Sequence, residues 1–284
     1  MLRDYYVLTK PGIIRGNVMT TLAGFLLAAQ GHISFGVLLA VSGGTALVIA
    51  SACVFNNVID RDIDKKMVRT AKRALVTGTI AIRSALVYAV VLGIAGFIVL
   101  LLFTNVLTTV LGFIGFVSYV VFYGYAKRHS VHGTLVGTIP GAMPLVSGYT
   151  AVTNHFDTGA LLLFLIMVAW QMPHFYGIAI YRLKDYAAAG LPVMPVKKGI
   201  RTTKLQIMLY VLGFAAMCGL LSIFGYAGSV FAVVMSIVSA YWLYLGAKGW
   251  KSKDDTKWAR GMFGFSLIAL LVMSVLLSIE SLVP

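Results

Sequence analysis

Long apolar runs dominate the chain and determine the first prediction. Runs of about twenty mostly apolar residues recur along the whole sequence, whereas ten-residue segments that alternate apolar and polar positions are absent. An α-helix needs about twenty such residues to cross about 30 Å of hydrocarbon, while a membrane-spanning strand would alternate. The pattern therefore predicts an all-α, polytopic membrane helical bundle rather than a closed barrel.

The apolar runs divide into nine predicted spans. These cover residues 12-30, 36-58, 82-103, 106-125, 134-152, 159-181, 205-224, 226-246 and 262-282. Composition supports this class, because 60% of the residues are hydrophobic and 11% are charged, against about a quarter charged in soluble proteins. No segment outside the spans is long enough to fold alone, so residues 1-284 are expected to form a single intramembrane domain.

Basic residues are confined to particular connections between the spans. All 23 lysines and arginines lie near the first span or within 60-83, 127-128, 182-204 and 247-260. Because cytoplasmic loops are enriched in lysine and arginine, the N-terminus is expected in the cytoplasm and the C-terminus outside. The net charge of +14 then lies on one membrane surface, which favours anionic lipid or an anionic substrate and argues against a nucleic-acid partner.

The densest charge follows the second span, where the chain reads FNNVIDRDIDKK. Asn56, Asp60 and Asp64 are four residues apart, so they share one stripe if the span continues as a helix. Neighbouring carboxylates on a stripe repel unless a cation joins them. Mg²⁺ is bound by such oxygen ligands, typically one or two carboxylates plus substrate phosphates. Asp62 lies off the stripe and is expected to pair with a lysine or arginine.

Basic residues follow the acids at once, and Arg69, Lys72 and Arg73 are suited to holding a diphosphate opposite a metal. The alternative is an ordinary loop whose acids offset its own basic residues. A similar set, with Lys184 and Asp185, follows the sixth span, which runs in the same direction as the second. The site is therefore expected between the ends of these two spans.

The sixth span carries polar residues near the middle of its apolar run. Trp170, Gln171 and His174 lie there, and polar groups at such depth usually face the bundle interior or a cavity. These residues are candidates for ligand binding. For His174 the alternative is a core histidine whose hydrogen bonds are satisfied within the bundle.

Several motifs together resemble one known family. NNVIDRDIDKKMVRT, WQMPHF, KDY, AGLPVMPV and the TKPGI opening are similar to the heme O synthases, the protoheme IX farnesyltransferases. These belong to the intramembrane prenyltransferase superfamily that also contains 4-hydroxybenzoate polyprenyltransferase. The resemblance covers essentially the whole chain. The aspartate motif marks the superfamily, whereas WQMPHF and GTIPGAMPLVSGY indicate the heme branch.

The resemblance implies an activity and a location. The expected protein is a nine-helix intramembrane prenyltransferase domain in the bacterial cytoplasmic (inner) membrane, with its active site facing the cytoplasm. It would transfer a farnesyl group from farnesyl diphosphate to a vinyl group of heme B, with Mg²⁺ as the cofactor and heme B as a substrate. A terminal heme-copper oxidase or a heme-modifying enzyme would receive the product.

The resemblance identifies the metal motifs, and charge and position along the chain indicate the other candidate site residues. The expected catalytic and metal-binding residues are Asn56, Asp60, Asp64 and Asp185. The expected diphosphate-binding residues are Arg69, Lys72, Arg73, Lys127, Arg128 and Lys184. The expected heme-binding residues are His174, Gln171 and Trp170, with His129 and His132 as competing candidates for an iron ligand. The wider superfamily often has another acid four residues after Asp185, where this chain has Ala189, so a second Mg²⁺ is less firmly implied.

Other functions stay open at this point. A prenyltransferase that acts on a quinone precursor such as 4-hydroxybenzoate would need the same diphosphate machinery. A secondary transporter would place its substrate groups near the bilayer midplane, where this chain has only Gln171 and His174. A passive assembly factor for an oxidase would not depend on Mg²⁺.

Overall fold

A computed structural model describes residues 2–280 and shows helices without any β-strand in that part of the chain. Nine helical segments among the described residues are long and apolar enough to cross a membrane. This confirms the predicted all-α membrane bundle. The helices, in chain order, are α1 (Leu2–Leu8), α2 (Pro11–Ala29), α3 (Phe35–Ile59), α4 (Arg61–Asp64), α5 (Ala74–Thr77), α6 (Ile82–Phe103), α7 (Val106–Val117), α8 (Gly124–His129), α9 (Gly133–Thr153), α10 (Thr158–Tyr181), α11 (Leu183–Ala188), α12 (Met194–Ile223), α13 (Ser229–Lys248) and α14 (Asp255–Ile279).

The fourth span, Val106–His129, consists of α7, a π-helical segment at Ser118–Tyr123 and α8. Seven of the nine predicted spans match these helical segments within a few residues, and two begin too late. α12 begins at Met194. The prediction started later because the first turns of this helix carry basic residues, which interrupt the apolar run. Gly199, with φ 81°, breaks the helical geometry within these turns. α14 begins at Asp255, where the Asp254 side chain accepts a hydrogen bond from the Lys257 amide at 3.0 Å. The last two residues of predicted span 262-282 lie outside the described residues.

α10 lies at the centre of the bundle and packs against α9, α12 and α14. The main core buries side chains from these helices completely, including Leu163, Ile166 and Phe214. α6 instead exposes Val87, Val91 and other apolar side chains along its length. Such exposure suits lipid contact, since lipid tails are as apolar as leucine. The chain is thus a multi-pass membrane protein with a central α10.

α2 and α9 approach each other closely through two glycines. A Cβ at Gly24 would lie 2.0 Å from the Leu145 carbonyl oxygen, and one at Gly148 would lie 2.0 Å from the Thr21 carbonyl oxygen. Small residues allow membrane helices to pack backbone against backbone. The two glycines therefore fix the position of α2 against α9.

A Gly148→Ala substitution should separate these helices and lower stability by about 1–3 kcal/mol, the usual cost of overpacking. The measurement is thermal unfolding of the purified protein in detergent. Gly219→Ala is the control, because a Cβ at Gly219 meets nothing within 4 Å and alanine favours a helix interior by roughly 0.5–1 kcal/mol. Equal unfolding midpoints for the two variants would contradict the close approach.

Candidate active site

A small apolar cluster joins the segments that follow α3 and α10. Ile63 and Met67 from the first segment are buried against Ala189 and Leu191 from the second. The structure thus brings the two motif segments together, as the sequence predicts. Ala189, at the place where the superfamily often has an acid, is an apolar packing residue in this cluster.

Asn56, Asp60 and Asp64 keep the four-residue spacing of one helical stripe. α3 ends at Ile59, and Asp60 has φ −88° and ψ 3° before α4 begins. The amide of Asp60 nevertheless donates to the Asn56 carbonyl at 2.9 Å, and the amide of Asp64 donates to the Asp60 carbonyl at 2.8 Å. The backbone therefore continues with helical hydrogen bonds through the junction.

Each residue of this stripe contacts a basic side chain from a different part of the chain. The pairs are Lys10 Nζ with Asn56 Oδ1 at 2.8 Å, Lys127 Nζ with Asp60 Oδ2, and Arg73 with Asp64 Oδ2 at 2.6 Å. Charged side chains that are removed from water need polar or oppositely charged groups close by, because an isolated buried charge is costly. The three pairs hold the α1–α2 junction, α8 and the connection before α5 around the end of α3. We call these six residues the stripe cluster.

Lys10 is a member of the cluster that the sequence analysis did not assign. It precedes Pro11 in the TKPGI motif and has a left-handed backbone, with φ 54° and ψ 65°. Such a conformation in a residue other than glycine costs about 1–3 kcal/mol. Burial lowers the pKa of Lys10 to about 8. The chain thus accepts backbone strain and desolvation where this ammonium group reaches Asn56, and the TKPGI motif was the signal in the sequence.

Arg73 ties several segments to Asp64. It also donates to Asn57 Oδ1 at 3.2 Å, and Asn57 Nδ2 donates to the Leu8 carbonyl at 2.8 Å. The Thr70 hydroxyl donates to the Asp64 carbonyl at 2.9 Å. Asp64 is thereby held nearly out of solvent, with a side chain 3% exposed. Asn57 and Thr70 support the site although the sequence analysis did not single them out.

Asp62 pairs with Arg128, which confirms that it serves a basic residue rather than the stripe. Two guanidinium nitrogens donate to its two carboxylate oxygens, each at 2.8 Å. These hydrogen bonds lower the pKa of Asp62 to about 2. Arg128 also donates to the Ile59 carbonyl at 2.6 Å and lies 3.6 Å from Asp60 Oδ1. Arg128 therefore borders the stripe but is held by Asp62.

The remaining predicted diphosphate-binding residues have solvent-exposed side chains outside the stripe cluster. Arg69, Lys72 and Lys184 are exposed. Asp185 lies on α11 and its carboxylate is 3.9 Å from the Arg182 guanidinium. Burial raises the pKa of Tyr186, while the charges of Arg69 and Arg182 oppose that shift. Tyr186 thus lies within electrostatic reach of basic residues from both motif segments.

The stripe offers oxygen atoms of the type that a hard divalent cation binds. Asp60 Oδ1 is buried without a hydrogen-bond partner in the structure. Among residues 2–280, no three His, Cys, Asp or Glu side chains come close enough to form a metal-binding group by themselves. A metal here would therefore need the Asn56 amide oxygen and oxygens from outside the protein. Mg²⁺ is usually bound in this way, because it keeps waters and takes substrate phosphates as ligands.

Trp170 and Gln171 use their polar atoms to join helices. Trp170 Nε1 donates to the Ser266 carbonyl of α14 at 2.7 Å, and Gln171 Nε2 donates to the Thr138 carbonyl of α9 at 3.1 Å. Both side chains are buried. These contacts position α10 between α9 and α14, and the predicted contact of both residues with heme stays a prediction.

His174 has a defined hydrogen bond on one side of its ring. Its Nδ1 lies 2.8 Å from Ser266 Oγ, and that hydroxyl donates to the Phe263 carbonyl at 2.6 Å. The Ser266 hydroxyl donates its proton to the Phe263 carbonyl, so Ser266 Oγ accepts from His174 and Nδ1 is the protonated ring nitrogen. The other ring nitrogen, Nε2, then has a free lone pair. Ser266 was missed by the sequence analysis, since nothing near it in sequence marks it. The competing His129 and His132 are exposed beside the connection between α8 and α9.

The chain is similar to known proteins over its whole length. A model of the UbiA prenyltransferase family matches residues 17–270. Protoheme IX farnesyltransferase of Pectobacterium carotovorum is 52% identical over 286 residues, which is 100% of this chain and 97% of that protein. Protoheme IX farnesyltransferase of Edwardsiella ictaluri is 52% identical over 281 residues, covering 99% and 95% of the two chains.

Solved structures share the fold. A structure concerned with digeranylgeranylglyceryl phosphate synthase in membranes has a TM-score of 0.81 at 18% identity and covers 99% of this chain and 98% of that chain. A UbiA homolog from Archaeoglobus fulgidus bound to GPP and Mg²⁺ has a TM-score of 0.75 at 13% identity, covering 97% and 99% of the two chains. At these identities the similarity establishes the architecture only.

Proposed function

The chain belongs to the UbiA prenyltransferase family, and on that premise we propose that it transfers a farnesyl group from farnesyl diphosphate to a vinyl group of heme B. The observation that carries the proposal is the stripe cluster, in which three oxygen-bearing side chains each face a basic side chain. Such an arrangement suits a diphosphate and its metal. The choice of heme B as acceptor is supported by the full-length relatives that bear this activity in their names.

We assign the metal-binding role to Asn56, Asp60 and Asp64, with Asp185 supplied by the second motif segment. A bound Mg²⁺ would supply positive charge that stabilises diphosphate as a leaving group. Lys127 and Arg73 already contact these carboxylates, so both are placed to donate to diphosphate oxygens. Arg69, Lys72 and Lys184 would extend the basic rim, and Arg128 would contribute from its position beside Asp60.

The reaction begins when the carbon–oxygen bond of farnesyl diphosphate breaks and the electron pair leaves with diphosphate. The vinyl group of heme B then attacks the allylic cation and forms the new carbon–carbon bond. Water adds to the resulting benzylic-type cation and releases a proton, which gives the hydroxyethylfarnesyl product. The chain's part is to neutralise diphosphate and to keep water from the first cation, and the apolar helices around α10 suit that exclusion.

We assign heme iron binding to His174, supported by Trp170 and Gln171 in positioning α10. The half-buried His174 ring stacks on Trp170 with centroids 4.8 Å apart. A neutral imidazole with an unprotonated Nε2 is the form of histidine that binds iron. The basic connections favour a cytoplasmic site in a bacterial inner membrane under the positive-inside rule. The product would pass to a terminal heme-copper oxidase or to a heme-modifying enzyme.

Asp60→Asn and Asp64→Asn should each lower turnover at least about 100-fold, because loss of one preorganised charge stabiliser costs on that order. Removing Mg²⁺ with a chelator should abolish turnover, and added Mg²⁺ should restore it. Turnover of the purified protein in detergent is measured by mass spectrometry. Asp62→Asn is the matched control, since Asp62 is exposed and pairs with Arg128, and it should lose less than about tenfold. Equal losses for all three variants would contradict the stripe assignment.

The acceptor is identified by product mass. Purified protein incubated with farnesyl diphosphate and either heme B or 4-hydroxybenzoate should yield farnesylated, hydrated heme and no prenylated hydroxybenzoate. The reverse outcome would establish the quinone-precursor alternative. Absence of both products, together with substrate uptake into proteoliposomes, would favour the transporter alternative.

His174→Ala should weaken heme B binding and change the heme absorption spectrum, because the proposed iron ligand is lost. Farnesyl diphosphate binding should stay unchanged. The control is His129→Ala, which removes an exposed histidine that stacks on Tyr125. If His174→Ala keeps the parent spectrum and turnover while His129→Ala loses them, the iron ligand is His129.

A further inference from the structure

Two arginines that are distant in sequence lie over one aromatic ring. The Arg182 guanidinium carbon is 5.3 Å from the centroid of the Tyr181 ring, and that of Arg260 is 5.8 Å from the same centroid. Arg182 directly follows α10 as its C-cap residue, and Arg260 lies in the second turn of α14. Both guanidinium groups therefore lie near the Tyr181 ring at the C-terminal end of α10. We call Tyr181, Arg182 and Arg260 the arginine pair site.

A row of rings connects this site with His174. Phe263 lies 5.8 Å from Tyr181 and 4.8 Å from His174, measured between ring centroids. The rings of His174, Phe263 and Tyr181 thus form a row that begins at the proposed iron ligand and ends beside the two arginine side chains. A flat, largely apolar molecule with acidic groups on one edge matches this order of surfaces.

The two arginines have donors to spare. No ion pair involves Arg260 within residues 2–280, and Arg182 has only the carboxylate of Asp185 at 3.9 Å, with a side chain 44% exposed. Lys204 in the same part of the bundle is different, because it is buried and donates to the Gly249 carbonyl at 2.7 Å and to Asp255 Oδ1 at 2.5 Å. Lys204 is a structural cation, whereas the arginine pair is available to a ligand.

We propose that Arg182 and Arg260 bind the two propionate carboxylates of heme B while His174 faces its iron. This inference rests on the proposed function and adds the residues that select a dicarboxylate acceptor. Arginine forms paired hydrogen bonds with carboxylates through its planar fork. Heme B offers one carboxylate to each arginine, whereas an acceptor with one carboxylate, such as 4-hydroxybenzoate, brings one negative charge to two positive charges, so the pair favours heme B.

The test measures KM for each substrate in purified Arg182→Gln and Arg260→Gln variants. Each variant should raise KM for heme B about tenfold, the expected effect of losing a charge-assisted hydrogen bond, and change KM for farnesyl diphosphate less than twofold. Arg260→Gln is the cleaner variant, because Arg182 also lies near Asp185. Arg201→Gln is the control, since it removes an exposed positive charge and should leave both KM values unchanged.

Heme B dimethyl ester supplies the complementary change on the ligand. The parent protein should bind the ester more weakly than heme B. The arginine variants should bind the ester with the same affinity as the parent protein does. A heme B KM that stays at the parent value, or a loss that is equal for heme B and its ester, would overturn the inference and leave the arginines as lipid contacts or packing residues. A parent protein that does not farnesylate heme B at all would instead overturn the proposed function.

Discussion

The structure depends on charge neutralisation at the end of α3. Asp64 has a side chain only 3% exposed, and its carboxylate is satisfied by Arg73. Removing one partner of a buried ion pair is strongly destabilising, since the other charge stays buried without a partner. Asp60 and Asn56 have their own partners in Lys127 and Lys10. Two ion pairs and one hydrogen bond from a lysine thus hold three distant parts of the chain at one point.

This constraint is consistent with the proposed binding of diphosphate beside acidic residues. Carboxylates alone would repel diphosphate, whereas lysine and arginine beside a bound metal would neutralise its charge from two sides. An alternation of oxygen ligands and cations can hold a divalent metal and the phosphate oxygens together. The α2–α9 contact through Gly24 and Gly148 supports the arrangement at a distance, because it fixes the helix that begins beside Lys10.

The acceptor side follows a different principle. His174 lies within the apolar bundle, where its orientation comes from a single hydrogen bond to Ser266 and from contacts with the rings of Trp170 and Phe263. α10 carries this histidine in the bundle and ends beside the second motif segment. One helix therefore links the proposed heme position with the proposed diphosphate position.

The sequence was sufficient for the features that depend on local spacing. Apolar runs predicted nine spans, and the four-residue repeat predicted that Asn56, Asp60 and Asp64 share a stripe. Contacts between distant residues could not be predicted in this way. Lys10 reaches Asn56 across 46 positions and His174 reaches Ser266 across 92, and no local periodicity encodes such pairs. The early start of α12 was also missed, because charged helical turns outside the hydrocarbon lack an apolar signal.

The most direct test of the account is an experimental structure with Mg²⁺ and a non-hydrolysable farnesyl diphosphate analogue. The account predicts that the metal contacts oxygens of Asn56, Asp60 or Asp64 and that the diphosphate contacts Lys127 or Arg73. A diphosphate bound elsewhere, with the three ion and hydrogen-bond pairs of the stripe cluster unchanged, would contradict it.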